Sequence, residues 1–149
     1  MKDTAGSLLK DKTGNIYTVA PDTTVLMALK MMAEKNVGAL LVMDLEKIAG
    51  IITERDYARK CILHEKESDT IAVSEIMTSE LITVDTVETV EKCMSIMMEK
   101  GIRHLPVLEE GRLVGLISIR DVLGRLISKQ KTKIHDLENL LSGKGYESF

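Results

Sequence analysis

Apolar and polar positions alternate, cluster and turn over in an order that runs through the chain twice. Ile16-Tyr17-Thr18-Val19 reads as a short strand, broken by Pro21 and Asp22. Thr23 or Thr24 can then cap a helix to about Asn36, with Val25, Ala28, Leu29 and Met32 on one face. Asn36 and Gly38 are its stop signals. Ala39 to Met43 is a continuous apolar run between turn signals, which predicts a buried strand. Asp44 to Lys47 turns the chain, Ile48 to Ile52 returns as a strand, and Thr53 caps a helix through about His64, with Asp56 at the capping-box position. After a polar stretch, Lys66 to Ser74, and a short helical turn, Ser74 to Met77, the order restarts. Leu81 to Val84 is a strand, and Thr86 to Lys100 a helix with Val87, Val90, Met94 and Met97 on one face, stopping at Gly101. Arg103 to Leu108 and Leu113 to Ile117 are strands joined by a hairpin turn at Glu110-Gly111, and Ser118 caps a helix to about Lys129. Ahead of all this, Ser7 to Lys10 is a short helical turn ended by Lys12-Thr13-Gly14-Asn15. Behind it, Ile134, Leu137, Leu140 and Leu141 predict a separate short amphipathic helix stopping at Gly143. Nothing local covers that stripe, so it is expected to pack on the domain or on a second chain.

The restart is a repeat. Shifted by 65 residues, positions 18–56 lie on 83–121 without a gap, and thirteen of them match, among them Gly50/Gly115, Arg55/Arg120 and Asp56/Asp121. Each copy is predicted as β-α-β-β-α, an α+β fold. A unit of about 50 residues buries too little surface to be secure alone. Two copies are expected to bury their sheet faces against each other about a pseudo-two-fold axis, with clefts between them where small molecules bind. The expected boundaries are 7–66 for the first repeat, 67–77 for a linker, 78–130 for the second repeat and 131–149 for the C-terminal helix and tail.

Composition narrows the function. The chain has 149 residues, 44% hydrophobic but only 3% aromatic, without Trp and with Phe149 its sole Phe. The core is therefore expected from Val, Ile, Leu and the nine Met. A net charge of −3 argues against general attraction to nucleic acid, and scarce aromatics remove the usual base-stacking platform. Cys61 and Cys93 lie among apolar neighbours without metal-ligand or redox spacing, and read as reduced core thiols. No apolar run approaches the roughly 20 residues that span a bilayer, and the N-terminus has no signal-peptide core. A soluble, cytoplasmic protein without membrane association is expected. No Gly-rich phosphate loop, nucleophile motif or paired metal ligands supports an enzyme.

The candidate chemistry sits where strand turns into helix: Thr53-Glu54-Arg55-Asp56 and Ser118-Ile119-Arg120-Asp121. A helix start presents unpaired backbone N–H groups and a partial positive charge, which favours an anion. Arg adds a planar cation suited to phosphate, and Asp, acceptor-only, suits a pair of sugar hydroxyls. Such a corner can hold a ribose phosphate; it can also be a helix cap alone.

With these residues in place, the sequence resembles tandem CBS-domain proteins, the Bateman modules. The resemblance rests on Thr18-Val19 and Thr83-Val84, on Val37 to Val42 and Ile102 to Val107, on Gly50 to Asp56 and Gly115 to Asp121, and on Met77-Thr78. It implies regulatory binding of an adenosine nucleotide, with the Asp on ribose and the Thr or Ser near phosphate. Carried over, one pocket pairs Thr53, Arg55 and Asp56 with Leu81, Ile82, Thr83, Ile102, Arg103 and His104. The other pairs Ser118, Arg120 and Asp121 with Ile16, Tyr17, Thr18, Val37, Gly38 and Ala39. The first of these is expected to prefer the more phosphorylated ligand. AMP, ADP, ATP, NAD(H) and S-adenosylmethionine share the adenosine part and are not ranked. The resemblance further implies a homodimer that regulates an enzyme or transporter; a structural dimerisation module without ligand is the alternative. Leu41 stands where the second repeat has Pro106, so the first repeat's strand is expected to pair more regularly.

Overall fold

A computed structural model describes residues 3–12 and 16–142. The turn expected at Thr13-Gly14-Asn15 and the stop at Gly143 lie outside the described residues. In chain order the elements are α1 (Ala5–Asp11), β1 (Thr18–Val19), α2 (Val25–Lys35), β2 (Ala39–Asp44), β3 (Lys47–Thr53), α3 (Glu54–Asp56), β4 (Val84–Asp85), α4 (Val90–Lys100), β5 (His104–Glu109), β6 (Arg112–Ser118) and α5 (Ile119–Leu141). They form two compact units, one spanning Gly14–Ile82 and the other combining Met1–Thr13 with Thr83–Phe149.

Each unit holds a three-stranded sheet built on one plan. β1 pairs parallel with β2, which pairs antiparallel with β3; β4, β5 and β6 do the same. The registers match at the repeat offset, Val19 on Val42 and Val84 on Val107. Both antiparallel ladders shift register at the same place, after Val42 and after Val107. The expected greater regularity of the first repeat is therefore absent. The reason is that Leu41 N–H reaches the Tyr17 carbonyl only at 3.4 Å, a weak bond, so Pro106 forfeits little by lacking an N–H. The Glu110-Gly111 turn has positive φ at both residues (51° and 79°), the geometry a two-residue hairpin needs.

The helices between strands start and stop on local chemistry. The Thr24 hydroxyl accepts from Met27 N–H at 3.2 Å and Asn36 closes α2 in the left-handed region. Thr89 caps α4 through Lys92 N–H, and Gly101 closes it. In the first unit Val25, Ala28 and Met32 of α2 pack with Leu40, Val42, Ile52, Cys61, Val73 and Ile76. In the second, Val90, Cys93 and Met97 of α4 are buried, as are Leu105, Val107, Ile117 and Val122. Both cysteines are free thiols in these cores, and burial, with Glu88 next, pushes the Cys93 thiol up to about 11.

Four elements depart from expectation. β4 is Val84–Asp85 rather than Leu81 to Val84, because only Val84 and Asp85 find ladder partners, Val107 and Leu108 of β5. α4 begins at Val90 rather than Thr86, because the Asp85 carboxylate holds Val87 N–H at 3.1 Å and the Thr86 and Glu88 carbonyls accept from Gly6 and Ala5. Val87 is consequently 76% exposed instead of facing the core. The helix after Thr53 is not one regular helix. The α3 turn gives way to a wide π turn, Tyr57–Cys61, and a 3₁₀ turn, Ile62–His64, which aims Cys61 inward while Ile62 and Leu63 stay in solvent. Finally, the helix from Ser118 does not end near Lys129; α5 runs unbroken to Leu141. Residues 130–133 contain no Gly or Pro, and the Thr132 hydroxyl donates to the Ser128 carbonyl one turn back.

Each unit is completed by the segment that precedes the other repeat. In the first unit Val25 N–H donates to Ile71 O, and Val73 N–H to Thr23 O. In the second, the equivalent Val90 N–H donates to Asp3 O, and α1 follows with Ala5 and Leu8 buried.

Candidate ligand-binding corners

At the end of β3, Thr53 is extended (φ −124°, ψ 162°) and caps α3. Its hydroxyl accepts from Asp56 N–H at 3.0 Å, while Asp56 Oδ2 accepts from Thr53 N–H at 3.0 Å and from the Thr53 hydroxyl at 3.1 Å. Oδ1 accepts from the Thr78 hydroxyl at 3.2 Å and from Lys60 Nζ at 3.0 Å. Lys60 also donates to the Thr78 hydroxyl. Thr78 is brought there by paired backbone bonds with Ile51, each 2.9 Å. Asp56 is the buried charged residue of the described structure, and both its oxygens are fully engaged by the chain itself.

At the end of β6 the same box forms: the Ser118 hydroxyl accepts from Asp121 N–H at 3.2 Å, and Asp121 Oδ2 accepts from Ser118 N–H at 2.8 Å. The cation differs. Lys12, at the end of α1, donates to Asp121 Oδ2 and to the Leu116 carbonyl, each at 2.9 Å. Asp121 is more open than Asp56, with side-chain exposures of 25% and 10%. Burial by itself raises the Asp121 pKa, but the Ser118 N–H and the Lys12 ammonium outweigh it and hold the carboxyl below its ordinary value. An open cleft of about 220 Å³ lies here, lined by Leu8, Asp11, Lys12, Arg120, Asp121, Gly124 and Arg125. Arg125 is tied to Asp3 at 2.6 Å and also to Asp11.

Arg55 and Arg120 are both exposed and form no ion pair among the described residues. Beside each corner, in its own unit, starts the central strand. Glu54 N–H donates to Gly38 O and Ala39 pairs with Thr53; Ile119 N–H donates to Arg103 O and His104 pairs with Ser118. Burial first, and Lys12 second, push the His104 pKa down. Ile16, Tyr17 and Thr18 lead into and begin β1, with the Lys35 ammonium 5.4 Å from the Tyr17 ring centre. Val37 precedes β2 and is half-buried, as are Leu81, Ile82 and Ile102, while Thr83 is exposed.

Lys12, Lys60 and Thr78 were not among the expected site residues. Lys60 was findable, four residues after Asp56 on a helix. Lys12 was not, because 109 residues separate it from Asp121. Among the described residues no group of three or more His, Cys, Asp and Glu is placed to hold a metal ion, and no helix is long and apolar enough to cross a membrane.

A family model described as CBS domain matches residues 9–62 and 73–128. The mitochondrial CBS domain-containing protein CBSX3 of Arabidopsis thaliana is 36% identical over 151 aligned residues, covering 98% of this chain and 73% of the relative. A solved CBS-domain protein from Burkholderia ambifaria is 48% identical, with a TM-score of 0.82 over 85% of this chain and 96% of its own. A CBS domain pair solved in complex with 5′-methylthioadenosine and S-adenosyl-L-methionine is 25% identical, with a TM-score of 0.75 over 87% of this chain and 99% of its own.

Proposed function

The chain belongs to the CBS-domain family, with two copies of the domain in tandem, and from that premise we propose that it is a regulatory sensor of an adenosine-containing ligand. The observation that carries this reading is one corner built twice: a hydroxyl cap, an exposed Arg with no ion pair among the described residues, and an Asp closing the cap. The Arg is proposed to meet phosphate or another anionic group, and the Asp the ribose hydroxyls. Ile16 to Thr18, Val37 to Ala39, Leu81 to Thr83 and Ile102 to His104 are proposed to supply apolar surface and backbone groups for the base. A related CBS pair in complex with two adenosine compounds supports the class. AMP, ADP, ATP, NAD(H) and S-adenosylmethionine all fit it.

In this reading Lys12 and Lys60 hold the Asp carboxylates when no ligand is bound, and the sugar hydroxyls displace them. Ligand then biases one conformation of the chain, by no more than its difference in affinity for the two. A partner enzyme or transporter reads that bias.

The test is thermal unfolding with a panel of these ligands on wild type, Asp56→Asn and Asp121→Asn. Asn keeps an acceptor for the cap while removing the charge. A ligand at 100 times its Kd adds about 2.7 kcal/mol, and each variant is expected to lose its own corner's share. Full response in both variants would reject the site. No response by wild type to any ligand would favour the ligand-free dimerisation module, and net consumption of nucleotide would indicate an enzyme.

A further inference from the structure

The second corner is held by α1, 109 residues away in the chain, and α1 is fastened unevenly. Its start is bound through backbone. Val90 N–H donates to Asp3 O, Ala5 N–H to Glu88 O and Gly6 N–H to Thr86 O. Ala5 and Leu8 are buried there. At its end, the fastenings among the described residues are side chains: Leu9 against Gly115, Asp11 on Arg125, and Lys12 on Asp121 and the Leu116 carbonyl. The matching place in the first unit is fastened through backbone. Ile51, which corresponds to Leu116 in the repeat, exchanges two 2.9 Å backbone bonds with Thr78.

The two lysines therefore differ in what moves when they let go. Lys60 lies four residues from Asp56 on the same helical stretch, so its release swings one side chain. Lys12 is the C-cap residue of α1, and its ammonium makes both polar bonds from the helix end to Asp121 and Leu116. Losing them leaves the last turn to Leu9 and to Asp11, whose side chain is 70% exposed and whose ion pair is weakened by water and salt. A helix end so thinly held opens at low cost. We propose that α1 is an autoinhibitory latch on the second corner: Lys12 competes with the ligand for Asp121, and bound ligand frees the last turn of α1. This rests on the reading of that corner as an adenosine site. It gives the second corner a moving part, Leu9 to Lys12, that the first corner lacks.

Adenosine is the probe, because it carries the ribose and no charge, so loss of a cation acts on it through Asp121 alone. In calorimetric titration Lys12→Met, which keeps the aliphatic stem, is expected to bind adenosine about two- to fivefold more tightly than wild type, the worth of a partly exposed ion pair. Adding Asp121→Asn should abolish that gain, and Lys12→Arg should restore wild-type affinity. Asp11→Asn, which loosens the same turn without touching Asp121, is expected to tighten binding in the same direction but by less. In wild type, saturating adenosine should speed amide exchange at Lys12, whose N–H bonds to the Leu8 carbonyl, and leave Ala5 and Gly6 unchanged. Equal affinity of wild type and Lys12→Met, or Lys12 exchange unchanged by bound adenosine, would overturn the latch and leave the sensor reading standing. Failure of both proteins to bind adenosine would also overturn it, and the ligand panel on wild type decides the corner reading separately.

Discussion

Asp56 and Asp121 occupy the same place in their repeats and are held differently. Each closes a capping box, but Asp56 adds two further donors, the Thr78 hydroxyl and Lys60, in a site only 10% exposed. Asp121 adds Lys12 alone, in a site 25% exposed. Truncating the buried one strands several donors, and each such group costs about 1–3 kcal/mol. Truncating the other removes a cap worth about 1 kcal/mol and a half-exposed ion pair worth less. Asp56→Ala is therefore expected to lower unfolding free energy by about 2–4 kcal/mol, and Asp121→Ala by about 1–2 kcal/mol. Denaturant titration of the two variants measures the difference. The same inequality leaves Asp121 the more accessible carboxylate of the two.

At the scale of elements, two matched glycines admit two different neighbours. A Cβ on Gly50 would lie 2.7 Å from the Thr78 carbonyl oxygen and 2.8 Å from Met77 Sδ. A Cβ on Gly115 would meet the end of the Leu9 side chain from α1. The first obstacle is backbone, tied to β3 by two hydrogen bonds, and cannot yield without breaking them. The second is a flexible side chain that can rotate away. Gly50→Ala is expected to cost about 1–3 kcal/mol and Gly115→Ala less than about 1 kcal/mol, as read from thermal midpoints. The capped helices and the hairpin at Glu110-Gly111 followed from local residue chemistry. The late start of α4 did not, because what holds Thr86 and Glu88 is α1, some eighty residues earlier. Nor did the unbroken α5, whose middle is polar and could be mistaken for a boundary.

For the whole molecule, acid is expected to act first on one unit. His104 has a lowered pKa, so below the ordinary imidazole value of 6.5 the unfolded chain takes a proton that the folded one refuses. Stability falls as pH falls through that window. Asp121, also lowered, adds a second loss below the ordinary carboxyl value of 3.8. Both residues belong to the unit containing Thr83–Phe149. Amide hydrogen exchange is expected to show that unit loosening between about pH 7 and about pH 5, before the unit Gly14–Ile82 does. His104→Gln should remove that first step and leave the second.

What the chain settles by itself is whatever depends on neighbours within a few residues or on comparison with its own second half. The two β-α-β-β-α copies, the Thr53 and Ser118 caps with their Asp partners, and the reduced core cysteines are of this kind, since periodicity, capping and hydrophobicity are local properties. What waited for the tertiary structure is which distant segment completes each copy. Residues 3–12 finish the second repeat's unit, and 71–78 the first's. Lys12 therefore reaches Asp121, while Thr78 closes over Asp56. A carboxylate accepts any cation the fold delivers, and delivery across a hundred residues is set by packing, on which residue spacing is silent.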